Sequence, residues 1–305
     1  MRKAVKNLAE SVHVKLNNLA KSEERTFQEL FYYYAIERFL FRLSNSPHVN
    51  SFTLKGGLAF LGWGIALRRP TRDIDVQGYG ENSIENLMKV VKEICIQNVI
   101  PDGMQFDPDS VRGERILDEA EYPGVRIYFS GSLGNATIQL HMDVSFANPI
   151  IPQVILVDYP SLLGMPTIKM SCYPYETAIA EKFQAMVALD SINDRMKDFY
   201  DIWLLSQQVD IPGSTLVSAV KATFQARNTP LPKAIPTALT SGFAMLRQSD
   251  WERFLKRSRL NLHEYLSLNE TIAVIREFLW PIVQAADNNM SFESIWTARG
   301  PWRAA

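Results

Sequence analysis

Two carboxylates that share one strand face are the residues of this sequence best suited to chemistry. Asp73 and Asp75 alternate with Ile74 and Val76, which is the period of two expected of a strand with one face in the core. Both carboxylates therefore project from the same face, where they repel each other unless a cation neutralises them. A pair of hard oxygen ligands suits Mg²⁺ held together with substrate phosphates. The pattern predicts a magnesium site.

A glycine pair upstream of these aspartates could hold a phosphate. Gly56 and Gly57 end a strand-like segment at 52–54 and open a segment with helical periodicity, where missing side chains expose backbone N–H groups to an anion. Three arginines abut the aspartates: Arg68, Arg69 and Arg72. Phosphate together with Mg²⁺ would satisfy such a mixture of charges. The stretch as a whole predicts a nucleoside triphosphate site.

A third carboxylate lies on a later strand-like segment. Over 137–146, apolar residues alternate with a polar set that includes His141 and Asp143, so the polar side chains share one face. If this strand lies beside the one that bears Asp73 and Asp75, Asp143 faces the same space. We therefore expect these three carboxylates to converge, with His141 as a hydrogen-bonded neighbour of Asp143 and not a metal ligand.

Two later segments with helical periodicity supply further charged groups. Lys182 lies among small side chains in the segment 175–189, and Asp198 and Asp201 share one face of the segment 196–208. Nucleotidyl transfer needs a metal clamp on the triphosphate, a cation for the leaving pyrophosphate and a base for the attacking hydroxyl. Lys182 could neutralise phosphate as a point charge. Either Asp198 or Asp201 could serve as the base.

The elements that must position these residues change in character along the chain. Amphipathic or buried helices are predicted at 4–20, 26–43 and 84–99, and strands at 110–117, 125–130, 137–146 and 154–157. The remaining third reads as further helices, at 214–226, 238–246, 250–257 and 268–285. The change from strands to helices predicts two domains, with residues 1–170 in the first and residues 171–305 in the second.

Composition limits the classes of function. The net charge of -1 gives no general attraction to nucleic acid, so an RNA partner must be held by local basic patches. Cys95 and Cys172 match no metal spacing and suit a reducing compartment. No stretch has the length needed to cross a bilayer, and the first residues are too polar for a signal-peptide core. We expect a cytoplasmic protein without a membrane partner.

The residues named above resemble the motifs of the AbiEii/AbiGii toxin family. Its members are nucleotidyltransferase-like proteins that form the toxic partner of type IV toxin-antitoxin and phage abortive-infection systems. Four motif-like segments follow the family's order: Leu54-Lys55-Gly56-Gly57 with Thr71-Arg72-Asp73-Ile74-Asp75, then His141-Met142-Asp143-Val144-Ser145, then Ala180-Glu181-Lys182-Phe183-Gln184-Ala185, then Asp198-Phe199-Tyr200-Asp201. Four motifs in order are much more specific than any one of them.

The resemblance implies a fold and a set of roles. It implies an α/β polymerase-β-like nucleotidyltransferase fold with a mixed sheet, followed by a mainly helical C-terminal region. It also implies Mg²⁺, a nucleoside triphosphate substrate, a cognate antitoxin, and Asp198 as the base. The metal would be held by Asp73, Asp75 and Asp143, and the nucleotide by Lys55, Gly56, Gly57, Arg72 and Lys182. Leu58 departs from the family's Ser or Thr, so backbone contacts must replace a hydroxyl contact to phosphate.

We expect from this a toxin-type nucleotidyltransferase that moves a nucleotide from an NTP onto a cellular acceptor such as tRNA. A second hypothesis keeps the chemistry and changes the acceptor to a small molecule such as an aminoglycoside. A third belongs to another class, a module that binds NTP or an antitoxin without turnover. Growth arrest on expression favours the first, drug resistance the second, and NTP binding without product the third.

Overall fold

A mixed seven-stranded sheet carries the first half of the chain. The computed structural model describes residues 2–66, 69–116, 124–260 and 267–304. The strands are β1 (Phe52–Leu54), β2 (Ile74–Gly78), β3 (Met104–Ile116), β4 (Gly124–Leu133), β5 (Ala136–Ser145), β6 (Ile155–Tyr159) and β7 (Ile168–Cys172), in the order β3-β4-β5-β2-β1-β7-β6. Strand β2 pairs with β5, and β1 with β7, in parallel, while the other neighbours are antiparallel. The predicted α/β class with a mixed sheet is confirmed.

Four helices pack with this sheet: α1 (Arg2–Ser22), α2 (Phe27–Ser44), α3 (Gly56–Gly62) and α4 (Ile84–Cys95). Helix α2 begins where predicted because the Thr26 side chain accepts a hydrogen bond from the backbone N–H of Glu29. Its aromatic residues serve as core, as when Phe39 packs on the rings of Phe106 and Phe129. Helix α4 ends at Cys95, so the prediction of a helix as far as 99 is wrong for its last turn.

The second half is mainly helical, as predicted. Its helices are α5 (Tyr175–Leu189), α6 (Met196–Gln208), α7 (Gly213–Ala226), α8 (Ser241–Arg257) and α9 (Leu268–Asp287). Helix α8 is continuous through the gap left between the two helices predicted there, which is a correction. A small sheet of β8 (Ile211–Pro212), β9 (Ser294–Trp296) and β10 (Trp302–Ala304) was not predicted, because strands this short carry almost no periodicity.

Two hydrophobic cores fill the molecule. The first extends from Ala9 to Cys172 and lies between the sheet and helices α1, α2 and α4. The second gathers the apolar faces of α5 to α9, together with Phe60 and Ile65 from the first half of the chain. The domain boundary between residues 170 and 171 stays a prediction, and the change from one core to the other supports it.

The described helices were compared with the length and apolar character of a membrane-spanning helix. None of those in the described ranges combines the length and the apolar character that crossing a bilayer requires.

Candidate active site

Strands β2 and β5 bring two of the three predicted carboxylates side by side. The two strands pair in parallel and in register, with Asp75 opposite Asp143. Residues that are paired in this way project to the same face of a sheet, and Asp73 precedes Asp75 by one full period on that face. All three aspartates line one cleft of about 780 Å³. Asp143 therefore lies on the strand beside Asp73 and Asp75 and faces the same cleft, as the alternation of residues predicted.

Asp75 differs from Asp73 and Asp143 in its hydrogen bonds and ion pairs. Its side chain accepts no hydrogen bond and joins no ion pair within the described parts of the chain. Burial raises the pKa of Asp75 to about 6, with a further contribution from the negative charge of Asp73. Lys55 and Lys197 act in the opposite direction but do not offset the shift. A carboxylate that is costly to ionise in this way would be stabilised by a bound cation.

The glycine turn lies directly against this carboxylate. Gly56 has a φ of +66°, and a Cβ placed on it would lie 2.0 Å from Oδ2 of Asp75. A Cβ on Gly57 would lie 2.5 Å from Oγ1 of Thr71. Only glycine allows the backbone to approach this closely. The structure therefore explains both glycines by the space that the carboxyl and hydroxyl groups occupy.

The other two carboxylates already have cationic or polar partners. Asp73 accepts a hydrogen bond of 2.8 Å from Nε2 of His141, which lowers the pKa of Asp73 and raises that of His141. Asp143 is held by Arg126 in a bidentate pair, with both N···O distances 2.7 Å. His141 thus contacts Asp73 and not Asp143, contrary to the expectation.

These pairs occupy the carboxylates of Asp73 and Asp143. Within the described ranges, no group of three Asp, Glu, His or Cys side chains is arranged to hold a metal ion. Asp73 keeps a side chain that is 42% exposed, and Asp143 one that is 18% exposed, so both remain accessible from the cleft. A metal ion held by all three aspartates would have to share the carboxylate of Asp143 with Arg126 or replace Arg126 there.

Across the cleft, α5 and α6 form a buried network of ion pairs. Nζ of Lys182 lies 2.6 Å from Oδ1 of Asp198 and 2.8 Å from Oδ2 of Asp201. Arg69 adds a bidentate pair to Asp201, with both distances 2.7 Å, and Nε of Arg195 lies 2.9 Å from Oδ2 of Asp198. Both aspartates are fully buried, at 1% and 0% exposure. Each buried charge is thus paired.

This network determines the protonation of its members. Burial alone would raise the pKa of Asp198, but Lys182 and Arg195 more than offset that effect and lower the pKa to about 2. Burial likewise opposes the charge of Lys182, yet Asp198 and Asp201 raise the pKa of this lysine. A carboxylate with so low a pKa and with both oxygens occupied is a weak base. In this state Asp198 holds Lys182 in position.

A second polar network holds Lys55 near the glycine turn. The backbone N–H of Lys55 donates to the carbonyl oxygen of Asp75, and its Nζ lies 3.5 Å from Oε2 of Glu181. Glu181 also accepts a hydrogen bond of 3.2 Å from the hydroxyl of Tyr173 and lies 3.5 Å from Arg227. The long Lys55–Glu181 distance leaves the ammonium group able to turn to another anion.

The remaining predicted residues lie at the edges of this arrangement. Arg72 is exposed at the cleft, with its guanidinium 6.0 Å from the ring centroid of Tyr32. Leu58 is fully buried in the first core and cannot contact a ligand. Arg68 lies outside the described residues.

Two charged residues that line the cleft were not singled out from the sequence for a role: Arg126 and Glu181. Arg126 could have been found, because 125–130 alternates polar and apolar residues in the same way as 137–146. Arg69 was assigned to the phosphate, whereas it pairs with Asp201. That contact joins two distant parts of the chain, and sequence periodicity carries no information about it.

The family model for the nucleotidyl transferase AbiEii toxin of type IV toxin-antitoxin systems matches residues 38–282 of the chain. An H. pylori crystal structure assigned provisionally as a nucleotidyltransferase aligns with a TM-score of 0.49 at 16% identity, covering 88% of this chain and 100% of that one. The crystal structure of JHP933 from Helicobacter pylori gives a TM-score of 0.47 at 16% identity, covering 87% and 95% respectively. No curated protein matches the chain.

The region that the family model matches contains the whole of the cleft, from Lys55 after β1 to Asp198 on α6. The chain belongs to the nucleotidyl transferase AbiEii toxin family of type IV toxin-antitoxin systems.

Proposed function

We propose that this protein transfers a nucleotide from a nucleoside triphosphate to an RNA acceptor in the presence of Mg²⁺. We propose tRNA as the acceptor to test first and a cognate antitoxin as the regulatory partner. The reaction class and the antitoxin partner are inferred from membership of the family. The acceptor, the triphosphate and the metal are inferences from the chemistry of the cleft.

The observation that carries the proposal is the pairing of Asp75 with Asp143 beside the Gly56 turn. Two adjacent carboxylates and a closely approaching backbone combine hard oxygen ligands with room for phosphate. Among the described residues the carboxyl of Asp75 has no hydrogen-bond or ion-pair partner, and the lack of a Cβ at Gly56 gives this carboxyl its place in the cleft, so it fits a cation ligand. Asp73, Asp75 and Asp143 would hold Mg²⁺, which when bound would polarise the transferred phosphoryl group and favour ionisation of the attacking hydroxyl.

The protein's own cations would bind the phosphates of the nucleotide. Lys182 is held rigidly by two buried aspartates, so its charge is fixed in position at the wall of the cleft. Lys55 lies on the other side of the glycine turn and has only a long contact to Glu181. We assign the triphosphate to the space between these lysines. Asp198 serves here as a positioning residue for Lys182, and its assignment as the base stays a prediction.

The direct test uses the purified protein with each labelled NTP, Mg²⁺ and total RNA. Label should appear in RNA with the wild type and disappear with Asp75→Ala. Asp158→Ala is a matched control, because Asp158 pairs with Lys169 on the edge of the same sheet and does not line the cleft. If no NTP gives label transfer, and the wild type equals Asp75→Ala, the proposal is wrong.

One observation favours a second candidate, a module that binds NTP without turnover. Arg126 occupies both oxygens of Asp143, and His141 occupies Asp73. If these pairs persist in the bound protein, NTP binds and no product forms. Equilibrium binding of NTP, measured beside product formation with the same preparation, separates the two functions.

A further inference from the structure

Four charged residues form a row that crosses neighbouring strands of the sheet. Arg126 on β4 pairs with Asp143 on β5, which is opposite Asp75 on β2, and the backbone of Asp75 accepts from Lys55 at the end of β1. All four residues line the cleft. The row therefore has a cation at each end and two carboxylates between them. Adjacent strands are about 4.8 Å apart, so the backbones of Arg126 and Lys55 are separated by roughly 14 Å.

The ends of this row differ in what surrounds them. Lys55 lies beside the glycine turn, on the side where the proposed function places the triphosphate. Arg126 lies beyond the carboxylates, on the opposite side. In an in-line displacement the attacking and leaving oxygens occupy opposite sides of the transferred phosphorus. With the pyrophosphate at the Lys55 end, an in-line acceptor would approach from the Arg126 end of the row.

We propose that Arg126 binds a phosphate of the acceptor strand after Asp143 has exchanged it for the metal. This inference rests on the proposed function and sharpens it, because it requires an acceptor that carries phosphodiester groups. Arg126 is suited to the role, since its side chain is 33% exposed and its planar fork matches a phosphate as well as a carboxylate. An amino-sugar acceptor is cationic, and the released guanidinium would repel it. The row therefore favours RNA over a small cationic acceptor.

The Arg126–Asp143 pair is compensated in charge. Arg126 neutralises Asp143 through two hydrogen bonds of 2.7 Å, so the pair leaves neither charge uncompensated. If Asp143 held Mg²⁺, the metal would supply that positive charge, and both hydrogen-bond donors of Arg126 would be available to another anion. The same side chain can then serve two anions in succession, first the carboxylate and then the phosphate.

The test compares Arg126→Gln with Lys169→Gln. Lys169 also forms a cross-strand ion pair with an aspartate of the same sheet, at 2.8 Å from Asp158, but it lies outside the cleft. Binding of labelled bulk tRNA is measured with Mg²⁺ over a range of salt concentrations. Arg126→Gln should weaken binding roughly tenfold, as expected for the loss of a hydrogen-bonded charge. It should also reduce the salt slope by about 1. Lys169→Gln should change the affinity less than about twofold.

Two further measurements separate this role from alternatives. The affinity for NTP should be unchanged in Arg126→Gln, and a loss there with tRNA binding intact would assign the phosphate to the nucleotide and overturn the proposal. Mn²⁺ binding without nucleotide, followed by electron paramagnetic resonance, should be at least as tight as in the wild type, because a competitor for Asp143 is gone. Weaker Mn²⁺ binding would mean that Arg126 only positions Asp143, which overturns the proposal.

Failure of this inference differs from failure of the proposed function. If the wild type labels RNA and Arg126→Gln binds tRNA as the wild type does, only the role of Arg126 is wrong. If the wild type labels no RNA with any NTP, the proposed function itself is wrong.

Discussion

The aspartates of the sheet and those of α6 differ in what neutralises them. Asp198 and Asp201 on α6 are almost completely buried and are paired with three cations, Lys182, Arg69 and Arg195. Asp75 on β2 has no such partner within the described ranges, and its pKa is raised to about 6, whereas that of Asp198 is lowered to about 2. The carboxylates on α6 thus have cationic partners in the protein, whereas Asp75 has none among the described residues.

This difference separates positioning from binding. A carboxylate whose oxygens are filled by protein cations has little to offer a ligand, but it fixes those cations in place. A carboxylate that is costly to ionise gains most when a metal ion binds. We therefore expect changes on the sheet to affect ligand binding and activity, and changes on α6 to affect stability first.

The largest expected effect is on activity. Asp75→Asn should lower nucleotidyl transfer about a thousandfold, because several kcal/mol of charge stabilisation are lost with a metal ligand. Its free energy of unfolding at pH 7 should rise by roughly 1 to 2 kcal/mol, because the folded protein no longer carries a carboxylate with a raised pKa. Initial rates and urea denaturation measure the two effects.

The stability part of this prediction has a defined pH dependence. The pKa of Asp75 is about 6 in the folded protein and about 3.9 in an unfolded chain. Wild-type stability from this group is therefore present below about pH 4 and is lost as the pH rises through 6. The advantage of Asp75→Asn should vanish in acid. If Asp75→Asn is instead less stable than the wild type at pH 7, Asp75 stabilises the fold as the aspartates of α6 do, and the distinction between the two regions is wrong.

The next largest effect is on stability. Asp201→Asn removes the shared partner of Arg69 and Lys182 and leaves buried positive charge uncompensated, which should cost about 3 to 5 kcal/mol of unfolding free energy. Urea denaturation measures the loss. Asp158→Asn, which breaks an exposed pair with Lys169, should cost only about 0 to 1 kcal/mol. Equal small losses in both variants would show that the network on α6 is not the stabilising one.

A pair of glycine variants tests how closely Asp75 is enclosed. Gly56 and Gly64 both have positive φ, at +66° and +73°, but only at Gly56 would a Cβ meet other atoms. Gly64→Ala should cost about 1 kcal/mol of unfolding free energy from backbone strain alone. Gly56→Ala should cost about 2 to 3 kcal/mol and should also weaken Mn²⁺ binding, since Asp75 must move. Equal losses of unfolding free energy in the two variants would mean that the Asp75 side chain can move away from a Cβ at position 56.

The smallest expected effect is a pH dependence of metal binding. Protons compete with Mn²⁺ for Asp75, so its affinity should fall about tenfold between pH 7 and pH 5 given a pKa of about 6. Asp198 does not titrate in this range. His141 gains charge there and holds Asp73 more strongly, so the titration is repeated with His141→Asn to isolate Asp75. A flat pH profile in that variant would contradict the role of Asp75 as a ligand.

Alternation along single strands predicted the face of the sheet that bears the site. The period of two in β2 and β5 indicated which side chains point together, and the parallel pairing of Asp75 with Asp143 agrees with it. Helices α5 and α6 were predicted with their observed ends, Tyr175–Leu189 and Met196–Gln208. Periodicity succeeded there because each element is long enough to repeat its pattern.

Pairings between distant elements could not be predicted in the same way. The ion pairs that Arg69 and Asp198 form in the α6 network were not predicted from the sequence, and the role of Asp198 as base stays a prediction. Arg126 was overlooked because its significance comes from Asp143 on the neighbouring strand. Such contacts depend on the packing of elements, and periodicity within one element carries no information about that packing.

The contact between Arg69 and Asp201 joins residues on opposite sides of the proposed domain boundary. A chain that is still being synthesised, and has emerged only as far as residue 170, already contains Asp73, Asp75 and Asp143 but not Lys182, Asp198 or Asp201. Its cleft lacks one wall. At that length the chain therefore lacks the ion pairs of the α6 network, which need residues from both sides of the boundary. The complete site forms only after α6 has emerged and folded against the sheet domain.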